Sequence, residues 1–318
     1  MERSNMPLSS IEICAGAGGQ ALGLEQAGFS HVALVEIEPP ACATLRLNRP
    51  EWNIVEGDVH SFSAELYKGS LDLLAGGVPC PPFSVAGKQL GSADERDLFP
   101  EALRLVSECE PRAVMIENVR GIFYPKFDGY RAMILDRLHE MGYKTWWNLV
   151  QASDYGVSQL RPRALLVGIK EPWASSFTWP KSHPGESMTV GELLHDAMAS
   201  NGWKGADEWA EHADGIAPTL VGGSKKHGGA DLGPTRARKA WAALGVDGAG
   251  VVDEAPAPDF EGMPRLTVGM AALVQGFPAD WEFSGKKTAA YRQVGNAFPP
   301  PVAKAVGTAI KEALNASD

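Results

Sequence analysis

The sequence predicts an α/β protein, a mostly parallel sheet with helices on both faces, and three observations carry that reading. Short apolar runs alternate with helix-period stretches through the first half of the chain. A glycine-rich turn joins the first apolar run to the first helical stretch. The chemically distinctive motifs then follow directly on apolar runs, the edge at which open α/β sheets bind ligands.

Residues 10–14 make a short apolar strand, and 20–27 has the spacing of an amphipathic helix after the glycine turn. Residues 32–35 are the next strand and 39–47 the next helix. Buried strands follow at 71–75 and 113–116, with helical spacing at 99–108 between them. Residues 130–141 are helical and 164–169 form another apolar strand. From about residue 173 Gly, Pro, Trp and charges mix without long periodicity, apart from helical spacing at 190–199. Regular spacing resumes near Leu266, with helices at 267–274 and 302–314. The reading is one domain made of 1–171 and 265–318, with a smaller domain, 172–264, inserted into it.

Of 318 residues, 44% are hydrophobic and 21% charged, enough apolar material for a packed core. Gly, Pro or a charge interrupts every apolar run before it could span a membrane, and the first residues lack the layout of a secretory signal. A cytoplasmic protein is expected. Cys14, Cys42, Cys80 and Cys109 form no C-x-x-C pair and no zinc spacing, so neither a metal site nor a disulfide framework is expected. The net charge of −10 argues against nucleic acid as a partner. Charge is uneven, however: between residues 219 and 241 stand Lys225, Lys226, Arg236, Arg238 and Lys239 against one acid, Asp231. A local basic surface can still meet phosphates.

Four motifs carry chemistry. In Cys14-Ala15-Gly16-Ala17-Gly18-Gly19 the glycines let backbone approach a ligand at a helix N-terminus. Glu36 ends the second strand, where it could accept both hydroxyls of a ribose, and Asp58 could accept from an adenine amino group. Together they suit a nucleoside-bearing ligand without saying which; turn glycines and surface acids are the plain alternative. The second motif is Gly76-Gly77-Val78-Pro79-Cys80-Pro81-Pro82-Phe83-Ser84. A cysteine fenced by prolines at a sheet edge is held in extended chain, open to reaction. The third, Ile116-Glu117-Asn118-Val119-Arg120-Gly121, places a carboxyl at a strand end, able to act as acid, base or acceptor. The fourth, Gln159-Leu160-Arg161-Pro162-Arg163, puts two guanidinium groups on one face of extended chain, or makes a strand-end salt bridge.

Taken in order, these residues resemble the cytosine-C5 DNA methyltransferase family of bacterial restriction-modification systems. The matching blocks are EICAGAGGQALGLEQAGF, VEIEP, GDV, GGVPCPPFSVAGK, RDLF, IENVRG and SQLRPRALLVGI, then RLTVGMAALVQGFP and YRQVGNAFPPPVAKAVG. They cover the chain outside 172–264. One departure is Cys14, where the family commonly has an aromatic residue.

The resemblance implies a Rossmann-like methyltransferase domain that uses S-adenosyl-L-methionine, with 172–264 as target-recognition domain. It implies Cys80 as the nucleophile that adds to cytosine C6. Glu117 would hydrogen-bond N3 and the exocyclic amine, Arg163 would bind the base carbonyl or support Glu117, and Arg161 would order the catalytic loop. The cofactor would meet Cys14, Ala15, Gly16, Gly18 and Gly19, with Glu36 on the ribose, Ile37 on the adenine face and Asp58 on its amino group. Val59, Pro79, Leu98, Asn296 and Ala297 complete the implied cofactor set. Residues 84–97 would close over DNA, with Ser84 and Lys88 in contact with it, and Lys225, Lys226, Arg236 and Arg238 would bind it from the inserted domain. The implied partner is double-stranded DNA with the target base flipped out. A cognate endonuclease would act on the same site without binding the chain, which would be a monomer in the bacterial cytosol. Residues 216–241 resemble recognition regions for GC-rich palindromes such as GCCGGC.

Three other classes compete. A tRNA-methylating enzyme would share the catalytic blocks. A nicotinamide-dependent oxidoreductase would explain the glycine turn and Glu36, but not Cys80, Glu117 or the paired arginines. A catalytically silent DNA-binding regulator would not need Cys80 and Glu117.

Overall fold

The computed structural model describes residues 7–79, 97–222 and 229–316. Its frame is a seven-stranded sheet. The strands are β1 (Leu8–Ile13), β2 (Phe29–Glu36), β3 (Ile54–Glu56), β4 (Leu73–Gly77), β5 (Ala113–Val119), β6 (Tyr143–Gln151) and β7 (Pro162–Lys170), in the order β3-β2-β1-β4-β5-β7-β6. The first five run parallel; β7 lies antiparallel to both β5 and β6. The chain leaves β1 toward one side for β2 and β3, then crosses to the other for β4 and β5. The crevice at the carboxyl ends of β1 and β4 is therefore the switch point where such sheets bind ligands.

Helices α1 (Gly19–Ala27), α2 (Pro39–Asn48), α3 (Phe99–Cys109) and α4 (Asp128–Glu140) connect the strands, and α8 (Val268–Gln275), α9 (Lys287–Asn296) and α10 (Pro300–Asn315) return to them at the end, after α5 (Val190–Ala199), α6 (Ala206–His212) and α7 (Thr235–Ala243). Strand alternation sorts the core onto two faces. Ile11, Ile13, Leu74, Val114 and Ile116 pack with Phe99 and Leu105 of α3 and Leu138 of α4. Leu73, Ala75, Met115 and Leu165 pack with Val302, Val306 and Ile310 of α10.

The amphipathic pattern expected for 20–27 is not what α1 shows. Seven of its nine residues are buried, because it lies between the sheet and α10, close enough that a β-carbon on Gly23 would stand 2.3 Å from the carbonyl oxygen of Pro300. Strand β6, which the periodicity did not mark, is an edge strand of mostly half-buried residues and so lacks a clean alternation. The expectation of little regular structure in 172–264 beyond one helix is also corrected: α6 and α7 are short helices anchored by Trp209 and Trp241. Leu194, Trp209, Leu220 and Trp241 of this segment share a single apolar cluster with Leu22, Leu45, Trp52, Phe277 and Tyr291 of the flanking segments. No described helix is long and apolar enough to cross a membrane.

Candidate active site and cofactor cavity

The glycine turn sits where β1 ends. Cys14 has φ 53°, Gly16 φ 55° and Gly18 φ 86°, a run of left-handed backbone that turns the chain sharply into α1. Gly18 is the N-cap of α1, and its α-carbon is hemmed in by Leu45, Trp281 and Trp52, so it serves the turn and the packing. Gly16 opens on free space, whereas a β-carbon on Gly19 would fall 2.2 Å from the carbonyl oxygen of Phe298. The start of α1 thus lies against the chain that leads into α10.

A cavity of about 440 Å³ opens at this point. Its wall includes Cys14, Ala15, Gly16, Gly19, Gln20, Glu36, Gly77, Glu117, Arg292, Gln293, Asn296, Ala297 and Phe298. Glu36, at the end of β2, is buried. One of its oxygens accepts from the Gly16 amide at 2.7 Å and the other from the Glu38 amide at 2.8 Å. Burial raises its pKa above the ordinary range, while these amides pull the other way. Asp58 stands outside the cavity wall, half-exposed, where it accepts from the amide of His60 at 3.0 Å and pairs with the His60 ring at 2.7 Å. Those bonds hold its pKa below the ordinary range. Ile37 is 57% exposed next to Glu36, an apolar surface free to stack. Val59 is buried in the sheet core, and Leu98 packs half-buried against the same core.

Glu117 lies two residues before the end of β5, in register with Gly77 of β4 on one side and Leu165 of β7 on the other. The missing side chain of Gly77 makes room for it, since a β-carbon there would meet the Glu117 carboxylate at 3.2 Å. Arg163, opposite Val119 in the same pairing, donates through Nε to Glu117 Oε1 at 2.8 Å. Burial drives the Glu117 pKa up; the positive charges of Arg163 and then Arg161 oppose it.

The two arginines divide the work. Arg161 is fully buried and makes no bond to Glu117. Its Nη1 donates to Leu220 O at 2.8 Å and its Nη2 to Gly295 O at 2.7 Å and Ala297 O at 3.0 Å. Gln159 joins it: Gln159 Oε1 accepts from the Leu220 amide at 2.9 Å, and its Nε2 donates to Gln275 Oε1 at 2.7 Å. This polar knot ties segment 172–264 to the cavity wall, a duty that the motif spacing does not reveal.

Cys80, Ser84, Lys88, Lys225 and Lys226 lie outside the described residues, as does most of 84–97. Their flanks are placed. Asn118, beside Glu117 in β5, donates to Val78 O at 3.0 Å, and the Leu98 amide donates to Pro79 O at 3.3 Å. The residue before Cys80 is thereby fixed at the sheet edge that carries Glu117. The other three cysteines are poor candidates for a thiolate. Cys42 and Cys109 are fully buried and Cys14 half-buried, and burial pushes their pKa values up to about 11, 12 and 12 respectively. Among the described residues no group of three or more His, Cys, Asp or Glu is placed to hold a metal. Arg236 and Arg238 are exposed on α7.

The donor set suits a nucleoside with a charged tail. The cavity falls within the range of small-ligand sites, and its wall joins the start of α1 to the buried carboxylate of Glu36. Sequence motifs had not marked Gln20, Arg292, Gln293 or Phe298. Gln20 lies in what reads as an amphipathic helix, and Arg292, Gln293 and Phe298 lie beside Asn296 and Ala297, the two residues of that stretch that the resemblance singles out.

Comparison with known proteins agrees. The chain is 58% identical over 312 residues to the Type II methyltransferase M.NgoMIV of Neisseria gonorrhoeae, covering 97% of this chain and 99% of that protein. It is 57% identical over 313 residues to the Type II methyltransferase M.NaeI of Lentzea aerocolonigenes, covering 97% and 76%. Among solved structures its fold matches Spodoptera frugiperda DNMT2, a triple mutant, with a TM-score of 0.66 at 16% identity over 96% of this chain and 100% of that one. It likewise matches S. pombe Dnmt2 methyltransferase, with a TM-score of 0.65 at 16% identity over 97% and 99%. Residues 8–312 match the C-5 cytosine-specific DNA methylase family, and the chain belongs to that family of DNA (cytosine-5-)-methyltransferases.

Proposed function

We infer that the chain methylates C5 of a flipped-out cytosine in a specific duplex DNA site, through a covalent adduct of Cys80, as the modification half of a restriction-modification system. The observation that carries this is a shared wall: Glu117, paired to Arg163, and the glycine turn with Glu36 open on one cavity. Pro79, next before Cys80, is held at the same edge.

Cytosine C5 is a poor nucleophile by itself. Addition of the Cys80 thiolate to C6, with a proton taken up at N3, gives C5 enamine character. A glutamate whose pKa is raised by burial keeps a proton more readily than an exposed one, which suits Glu117 to supply or share the proton at N3. Arg163 fixes the orientation of that carboxyl. S-adenosylmethionine, when bound, supplies the electrophilic methyl group. Loss of the C5 proton to water or a side chain, departure of Cys80 from C6 and return of the N3 proton to Glu117 complete the cycle. Glu36 would hold the ribose hydroxyls, Ile37 and Asp58 the adenine, and Asn296 and Ala297 the amino-acid end, with Pro79 and Leu98 beside the methyl group. A base cannot react inside the stack, so flipping is required.

We further read residues 172–264 as the target-recognition domain, acting on a GC-rich palindrome of which GCCGGC is the first to try, in a monomer of the bacterial cytosol. The test is a duplex carrying 5-fluorocytosine, where fluorine blocks the last elimination. A denaturation-resistant adduct is expected with the native protein and with Cys42→Ser and Cys109→Ser, and none with Cys80→Ser. An adduct that survives Cys80→Ser would overturn the assignment. Bisulfite sequencing of DNA from expressing cells, beside a parallel assay on tRNA, reports the site and separates the tRNA alternative.

A further inference from the structure

Gln20 presents a problem that the reaction scheme leaves unsolved. It is the second residue of α1 and only 3% exposed, and it lines the cavity beside Gly16, Gly19 and Asn296. Neither its Nε2 nor its Oε1 has a hydrogen-bond partner. A buried primary amide with both ends unmet is costly to keep, since each unsatisfied group carries its own desolvation penalty. A leucine or methionine would fill the same volume without that cost. The same wall carries a second unmet donor, Nε of Arg292, also buried.

The geometry points to Gln20 as the residue that binds the α-amino-acid end of the cofactor, an inference that rests on the reading of this cavity as the S-adenosylmethionine site. A primary amide offers donors on nitrogen and an acceptor on oxygen. An α-amino acid at neutral pH offers the complement, a carboxylate that accepts and an ammonium that donates. The amide also stands in the first turn of α1, where free backbone N–H groups and the helix dipole favour a carboxylate. Arg292 adds positive charge on the same wall. Glu36 and Glu38 lie on that wall too, so the carboxylate belongs at the Gln20 end and the sugar at the Glu36 end. The polarity of the bound molecule follows from that order.

The experiment compares two nucleosides by calorimetry, with no turnover involved. S-adenosylhomocysteine carries the amino-acid tail; 5′-methylthioadenosine keeps the adenosine and thioether but lacks it. The native protein should prefer the former. In Gln20→Met that preference should shrink about tenfold to a hundredfold, the worth of hydrogen bonds to charged groups, while affinity for 5′-methylthioadenosine stays within about twofold. The ligand-free variant should be at least as heat-stable as the native protein, because two unmet buried atoms are gone. Gln20→Glu, which keeps the acceptor but sets a negative charge before the carboxylate, should bind S-adenosylhomocysteine more weakly still. An unchanged preference in both variants removes the inference while leaving the cofactor reading intact. A native protein that binds neither nucleoside removes the cofactor reading, and the inference with it.

Discussion

Gly222 and Gly295 meet backbone to backbone. A β-carbon added to Gly295 would stand 2.3 Å from the amide nitrogen of Gly222, and one added to Gly222 would stand 2.5 Å from both Arg292 O and Asn296 Oδ1. Gly222 belongs to the segment whose cations are proposed to meet DNA; Arg292 and Asn296 line the cavity. Arg161 clasps both sides at once through Leu220 O and Gly295 O. Segment 172–264 and the cavity wall are therefore packed directly against each other, backbone to backbone.

The first prediction tests that contact. Gly222→Ala forces a β-carbon into Asn296 and the α9 backbone, and overpacking of this kind costs about 1–3 kcal/mol. Because the yielding groups line the cavity, S-adenosylhomocysteine should bind about tenfold more weakly, and single-turnover methylation of duplex DNA should slow with it. Unchanged affinity and rate would mean that the contact is passive.

Glu117→Gln keeps the shape of the carboxyl but removes its charge and its proton. By analogy with deleting one transition-state hydrogen-bond partner, the loss should be roughly 2.7–4 kcal/mol of barrier, on the order of a hundredfold to a thousandfold in single-turnover rate. Affinity for S-adenosylhomocysteine should hold. A rate within threefold of the native protein would reject the role.

The pKa of the same residue makes a prediction about stability. Burial raises Glu117 above the ordinary glutamate value of 4.5, so the folded state binds its proton more tightly than the unfolded chain does. Below pH 4.5 the group is protonated in both states and carries no penalty. As pH rises from there through the folded-state pKa, the native protein releases a proton less readily than the unfolded chain, and stability falls. Urea unfolding of the native protein and of Glu117→Gln should therefore diverge as pH rises above 4.5, the native protein losing ground relative to the variant. A gap that stays constant with pH would show that the pair with Arg163 cancels the effect of burial.

How much of this could be read from the sequence depends on what each residue does. Residues proposed to act chemically at a sheet edge were marked by the sequence: Glu36 ends β2 and Glu117 lies two residues before the end of β5, where apolar runs stop. The parallel part of the sheet was legible where strands are buried on both faces: β4 and the first four residues of β5 read as continuous apolar runs, whereas β1 is interrupted by Ser9, Ser10 and Glu12. Residues whose role is to join distant segments were not. The partners of Arg161 lie 59, 134 and 136 positions away, and no local pattern encodes such a distance. Helix α7 escaped notice because only Trp241 in it is buried, and one buried residue makes no period.

That helix shapes the last prediction, which concerns the DNA-facing cations. Arg236 and Arg238 are both expected to bind DNA from the inserted domain. They stand two positions apart on α7, and at 3.6 residues per turn this sets their side chains about 200° apart. One groove can take one of them only. Arg238 packs over Gly248, where an added β-carbon would stand 3.0 Å from its Cγ, and Asp247, whose pKa is lowered first by the Ala249 amide and by Arg265, also feels its charge. Among the described residues Arg236 has no such neighbour, which makes it the better placed of the two to read a base. Arg236→Ala should cost roughly 1–3 kcal/mol on the cognate site and relax the choice at one base pair. Arg238→Ala should leave specificity unchanged. Lys225→Ala and Lys226→Ala should each weaken binding to all sequences alike and lower the salt slope by about one unit. Binding and methylation on the cognate duplex and its single-base variants, at several salt concentrations, separate these outcomes. If all four substitutions leave specificity and salt slope untouched, the reading surface lies outside residues 219–241, and the segment 203–215, which contains α6, is the next to be tested.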